Sequence, residues 1–197
     1  MLAIAGGKGG VGKTTTALGL AAALPGRPLV VDADCDMPNL HALAGVPADD
    51  GPHDCSAHDC RVLPASGDEA PPVDQRLERL HSRETDGHTL VDTPAGAGID
   101  AATPLRIADG VVLVSTACAP ALRDAAKTAS MARAVGTPVV GAVLTRTLAR
   151  PPNAAELFGC PLLAVVPDAS GRPLDDPRVH ERYEAAATAL LDASASS

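Results

Sequence analysis

The residues best equipped for chemistry lie near the start of the chain. Gly7-Lys8-Gly9-Gly10-Val11-Gly12-Lys13-Thr14 fits the pattern GxxxxGK[ST] of a phosphate-cradling loop. Glycines let successive backbone N–H groups turn inward around an anion without Cβ clashes. Lys13 supplies a positive charge to the β and γ phosphates, and the Thr14 hydroxyl is suited to ligate Mg²⁺. The helix after the loop aims its N-terminus at the same anion. Gly7, Gly9, Gly10, Val11, Gly12, Lys13, Thr14 and Thr15 are therefore the expected phosphate-binding residues. Only three lysines occur in the chain, against 13 arginines, and two of the three, Lys8 and Lys13, lie in this loop.

Two acidic strand ends come next. VVDADCDMPNL carries Asp32, Asp34 and Asp36 where an apolar run stops. Carboxylates at the C-terminal edge of a parallel sheet face the ligand crevice, where one can polarise water or hold metal-bound water. LVDTPAG repeats the arrangement: Asp92 ends an apolar strand, as in a Walker B segment, and is placed to hold Mg²⁺ through a water. Gly96 in the same string frees a backbone amide to approach a γ phosphate and to move afterwards. HDCSAHDC, from His53 to Cys60, gathers two His, two Cys and two Asp. Its Cys spacing lacks the paired regularity of a zinc site, so a solvated loop is expected, with a mononuclear metal site as the alternative. Cys118 and Cys160 read as small buried residues beside strands.

These groups need a sheet to hold them. Leu2–Ala5, PLVVDAD, HTLVDTPAG, GVVLVST, TPVVGAVLT and CPLLAVVPD are apolar throughout rather than alternating, the mark of parallel strands covered on both faces. RVLPA adds a further short strand. Helical stretches alternate with them: Thr14 to Leu24, Val73 to His81, Leu122 to Val135 and Val179 to Leu191. Strand–helix alternation predicts an α/β fold, a doubly wound, mostly parallel sheet with helices on both faces. The expected organisation is one domain over 1–191 and a frayed tail over 192–197. Gly45 to Cys60 is expected to be an irregular loop.

Composition narrows the partners. Aromatic residues make up 1% of 197 residues, so stacking on single-stranded nucleic acid or sugars is nearly excluded. A net charge of -8 opposes DNA and anionic lipid. The region from Val179 to Ser197 lacks the cationic face that an intrinsic membrane anchor requires. No apolar run reaches the length of a membrane span, no signal peptide is read at the start, and the five cysteines form no framework; a cytoplasmic protein with reduced thiols is expected.

The string KGGVGKTT resembles the deviant Walker A loop of the MinD/ParA family of P-loop ATPases, and VDADCDMPNL and DTPAG resemble that family's two switch segments. The resemblance covers Leu2 to about Leu191. It implies that Mg-ATP binds between two protomers, that Lys8 crosses to the partner's phosphates, and that Asp34 positions the lytic water. Lys8, Lys13 and Asp34 are then the catalytic residues, and Thr14, Asp32 and Asp92 the metal site, with Asp32 the first-switch residue near Mg²⁺. Thr145 and Arg146, in VLTR, and Pro167 and Asp168, in VVPD, are implied to flank the base, although the family usually has Asn where Thr145 stands. Arg123-Asp124 resembles a segment near the family's dimer interface. The resemblance further implies an ATP-dependent homodimer that hydrolyses ATP slowly and gates an unknown protein partner in positioning cell-division, chromosome or surface machinery. The alternatives are an Mrp-like iron–sulfur carrier or an amide-forming synthetase on the same fold, with the carrier's CPxC string absent, and a non-hydrolysing, nucleotide-held interaction module.

Overall fold

The computed structural model describes residues 1–65, 71–82, 87–96 and 98–195. Among these, eight strands form one sheet in the order β3-β4-β2-β5-β1-β6-β7-β8. The strands are β1 (Leu2–Ala5), β2 (Leu29–Asp32), β3 (His53–Cys55), β4 (Cys60–Leu63), β5 (Thr89–Asp92), β6 (Gly110–Thr116), β7 (Val139–Thr145) and β8 (Leu162–Val165). Every pairing is parallel except β3 with β4. The helices are α1 (Lys13–Ala23), α2 (Leu40–Ala44), α3 (Val73–His81), α4 (Ile99–Ile107), α5 (Ala119–Ala134), α6 (Ala154–Phe158) and α7 (Pro177–Ala195). The doubly wound sheet is the one the apolar strands predict.

The period-2 alternation of a strand divides the core between the two faces. Ile4, Val30, Leu90, Val112 and Val143 point to the side covered by α1, α2 and α7. Ala3, Val111, Leu113, Ala142 and Leu144 point to the side covered by α4, α5 and α6. Leu77 of α3 closes a smaller cluster over Leu29, Val31 and Val91. The chain's two aromatics are both fully buried, Phe158 under α5 and Tyr183 between α7 and α1. Gly19 makes the second contact possible: a Cβ there would lie 2.3 Å from the Tyr183 ring. The Tyr183 and Thr16 hydroxyls share a buried hydrogen bond of 3.1 Å, which fixes α1 from its far side.

Four expectations need correction. Cys118, expected to be buried like Cys160, is exposed at the start of α5, its thiol 3.3 Å from the Thr116 hydroxyl. Gly45 to Cys60 is not wholly irregular. His53–Cys55 pairs antiparallel with β4, placing Cys55 directly opposite Cys60 and burying both. The tail expected over 192–197 is helical as far as Ala195, because α7 continues and the Ser194 hydroxyl donates to the Leu190 carbonyl at 2.9 Å; Ser196 and Ser197 lie outside the described residues. Helices α2, α4 and α6 have no counterpart among the helical stretches that the sequence predicts.

Candidate functional site

Sheet register assembles the site. The parallel pairing of β2 with β5 sets Asp32 beside Asp92, and β1 brings Ile4 beside Asp92, so both acids leave the sheet next to the loop that follows β1. That loop ends at Gly12, whose φ of 94° lies in the left-handed region that glycine tolerates, and α1 starts at Lys13. The turn directs the start of α1 into a cleft of about 640 Å³. Gly9, Gly10, Gly12, Lys13, Thr14, Thr15, Asp34, Asp92, Thr145, Arg146, Pro167 and Asp168 line it, as expected. So do Asn39, Leu43, Thr93, Val166 and Tyr183, which sequence reasoning missed.

Four expected residues stand back from the cleft. Gly7 lies against the Asp124 backbone of α5. Val11 is buried, and its carbonyl faces Thr145. Lys8 reaches sideways, its Nζ 3.4 Å from Asp124 Oδ2, with about half of its side chain exposed. Asp32 is fully buried below the loop after β2. It accepts the Asp34 amide at 3.0 Å on Oδ1 and the Leu40 amide at 3.2 Å on Oδ2. Its carboxylate thus ties down both ends of the segment that carries Asp34. Asp34 in turn accepts the Met37 amide at 3.1 Å.

The electrostatics centre on Lys13 and Asp92. Burial pushes the Lys13 ammonium below its ordinary value, while Asp92 and Asp34 hold it up. Burial pushes the Asp92 carboxyl up to about 7; Thr14 and Lys13 oppose that rise, and the charges of Asp32 and Asp34 add to it. Asp92 Oδ1 is buried with no hydrogen-bond partner among the described residues. An orphaned carboxylate oxygen in the interior costs on the order of 1–3 kcal/mol, and more when charged, unless a cation or water satisfies it. With Thr14 alongside, this hard oxygen donor fits Mg²⁺ and its waters.

Two of the residues implied to flank a base bond to the glycine loop. The Thr145 hydroxyl, implied to meet the base, donates its single proton to the Val11 carbonyl at 2.6 Å, with Ser115 O at 3.3 Å. The Arg146 guanidinium donates to the Gly10 carbonyl. Both side chains brace the phosphate loop, and the Thr145 hydroxyl, its proton spent on Val11, keeps only acceptor capacity. The His53–Cys60 segment is also settled elsewhere. Cys55 donates to the Ala44 carbonyl, His53 meets Asp49, and Arg27 pairs with Asp54 and Asp59. No metal-binding cluster of three or more His, Cys, Asp or Glu occurs among the described residues.

A glycine loop between the central parallel strand and a helix, with a buried lysine and a strand-end aspartate facing it, defines a P-loop nucleotide-binding protein. The chain belongs to the CobQ/CobB/MinD/ParA nucleotide binding domain family, whose model matches residues 2–170. An ATP-binding protein of Methanocaldococcus jannaschii is 32% identical over 168 residues, which is 74% of this chain. The chain spans 64% of that relative's length. Among solved structures, the cell division ATPase MinD of Pyrococcus furiosus is 27% identical, covers 98% of each chain and gives a TM-score of 0.80. MinD of Pyrococcus horikoshii, complexed with Mg-ADP, shares the fold at 24% identity and a TM-score of 0.79, over 94% of this chain and 93% of its own. No helix among the described residues is long and apolar enough to cross a membrane.

Proposed function

We propose that this protein is a MinD/ParA-type ATPase switch. It binds Mg-ATP in the cleft, pairs with a second copy around the nucleotide, and hydrolyses it slowly to gate a partner in spatial positioning. The observation that carries this reading is the convergence of Lys13, Asp34 and the orphaned Asp92 oxygen on one glycine-lined cleft.

The triphosphate lies across the backbone amides of the loop and the start of α1, whose dipole favours the anion. Lys13 sits beside the β and γ phosphates, in surroundings dry enough to strengthen its field. Asp34, held in place by the Asp32-anchored loop, orients the attacking water. Thr14 would hold Mg²⁺ directly and Asp92 through water, with Asp32 behind them. The ion would supply charge neutralisation on the phosphate oxygens. Lys8 completes the site from the second copy. Its contact with Asp124 is a solvent-screened ion pair with the lysine half exposed, so leaving it costs little. Nucleic acid and membrane stay outside this reading because the net charge is -8.

The test combines calorimetry, sedimentation and phosphate release. Lys13→Ala is expected to lose ATP binding. Asp34→Ala is expected to bind ATP and accumulate as a dimer, and Lys8→Ala to bind ATP as a monomer. Normal ATP affinity in Lys13→Ala, or an ATP-driven dimer in Lys8→Ala, overturns the reading.

A further inference from the structure

The hairpin of β3 and β4 carries a pair of thiols that the nucleotide cleft does not use. Register sets Cys55 directly opposite Cys60, and both are buried. Opposed residues of an antiparallel pair have Cα atoms about 4.5–5.5 Å apart, inside the span of about 4.4–6.8 Å that a disulfide bridges. The two thiols are also in hydrogen-bonding contact. Cys55 gives its one proton to the Ala44 carbonyl at 3.4 Å, so in the contact between the sulfurs the Cys60 thiol donates to Cys55. Among the described residues no third His, Cys, Asp or Glu joins them in a metal-binding group, which leaves two thiols facing one another.

The pair can be reached by local opening. Strand β3 has three residues and stands last in the strand order, paired with β4, so the hairpin parts more easily than the sheet behind it. Burial and the neighbouring Cys55 thiol push Cys60 up to about 12, so it stays protonated while the hairpin is closed, and attack starts from the opened form. We propose that Cys55 and Cys60 are a thiol–disulfide exchange site for low-molecular-weight disulfides, closing reversibly across the hairpin and signalling closure to α2. One thiolate of the pair attacks the small disulfide RSSR, forms a mixed disulfide and expels RS⁻. The other thiolate attacks the protein sulfur of the mixed disulfide and expels the second RS⁻. The protein gives up two protons and two electrons, and the small disulfide becomes two thiols. Closure strips the Ala44 carbonyl of its thiol donor, at the buried end of the helix whose Ala42 and Leu43 line the nucleotide cleft.

The test uses glutathione disulfide as the probe at pH 8, on folded protein in which Cys35→Ser and Cys118→Ser remove the exposed thiols. Mass spectrometry after acid quench is expected to find two hydrogens lost between His53 and Arg61, no glutathione retained there, and both thiols restored by dithiothreitol. Adding Cys55→Ser or Cys60→Ser is expected to leave one glutathione on the remaining thiol. Cys60→Ser with Arg61→Cys keeps two thiols but sets the second on the opposite face of β4, because successive side chains alternate; closure is expected to fall about tenfold or more. Amide exchange over Leu40–Ala44 is expected to quicken about threefold or more in the closed form, since a buried carbonyl left unpaired loosens the helix end. The exchange site is overturned if the parent stays reduced, if it holds glutathione in place of closing, or if the Arg61→Cys variant closes equally well. Equal amide exchange in the two forms overturns the signal to α2. Should the added variants fail to fold, the product formed by the parent decides alone. None of these readouts needs nucleotide, so they stand apart from the proposed function.

Discussion

Asp92→Asn isolates the electrostatic cost of the metal site. The carboxyl is moved from 3.8 to about 7, chiefly by burial. Between those values the folded chain holds a proton that the unfolded chain has released, so unfolding free energy falls as pH rises through this window. Above pH 7 the accumulated cost approaches about 4 kcal/mol, at 1.36 kcal/mol for each pH unit. That is an upper bound for the gain on substitution, because Lys13 loses one of the two carboxylates that offset its own burial. In a chain of this size about 1 kcal/mol moves Tm by about 2–4 °C, so the difference at pH 8 is at most roughly 16 °C. The assay is thermal unfolding in EDTA from pH 5 to 8. The parent is expected to lose Tm steeply across that range. Asp92→Asn is expected to lose less and to be the more stable protein at pH 8. Burial raises Asp32 in the same direction, so some slope remains in the variant. With Mg-ADP the order should reverse, since only the parent has the carboxylate for the ion. Parallel pH profiles in EDTA refute the reasoning.

Two further substitutions test how the loop is held. Gly19→Ala places a Cβ 2.3 Å from the buried Tyr183 ring; it is expected to lose about 1–3 kcal/mol in urea unfolding despite alanine's better helix propensity, and a gain would contradict the packing. Thr145→Val removes the 2.6 Å bond to Val11 and leaves a buried carbonyl unpaired; a loss of about 1–3 kcal/mol and weaker ADP binding are expected, and unchanged values of both would remove its bracing role.

Much of this arrangement was legible because β1, β2, β5, β6 and β7 are buried on both faces, so their apolar runs carry no competing signal. Helix α3 spans Val73–His81 as its spacing predicts. Helices α2 and α6 have five residues each, too few for a periodic pattern, and α4 is obscured by Pro104 in its interior. Strand β3 is polar because it sits at the sheet edge, with one neighbour and one buried residue. Within the site, residue types named the phosphate loop and its acids, since only those types perform that chemistry. The direction of a hydroxyl proton has no such signature. Thr145 turning to Val11, and Thr14 to Asn39, depend on how distant segments meet.

The clasp between Thr16 and Tyr183 joins residues 167 positions apart. Tyr183 is made 167 residues after Thr16, and closing so long a loop costs entropy that a local helix contact would not. Until α7 docks, α1 keeps an open flank beneath the phosphate loop. The firmness of the cradle is therefore set by a segment distant in sequence and not by the loop alone.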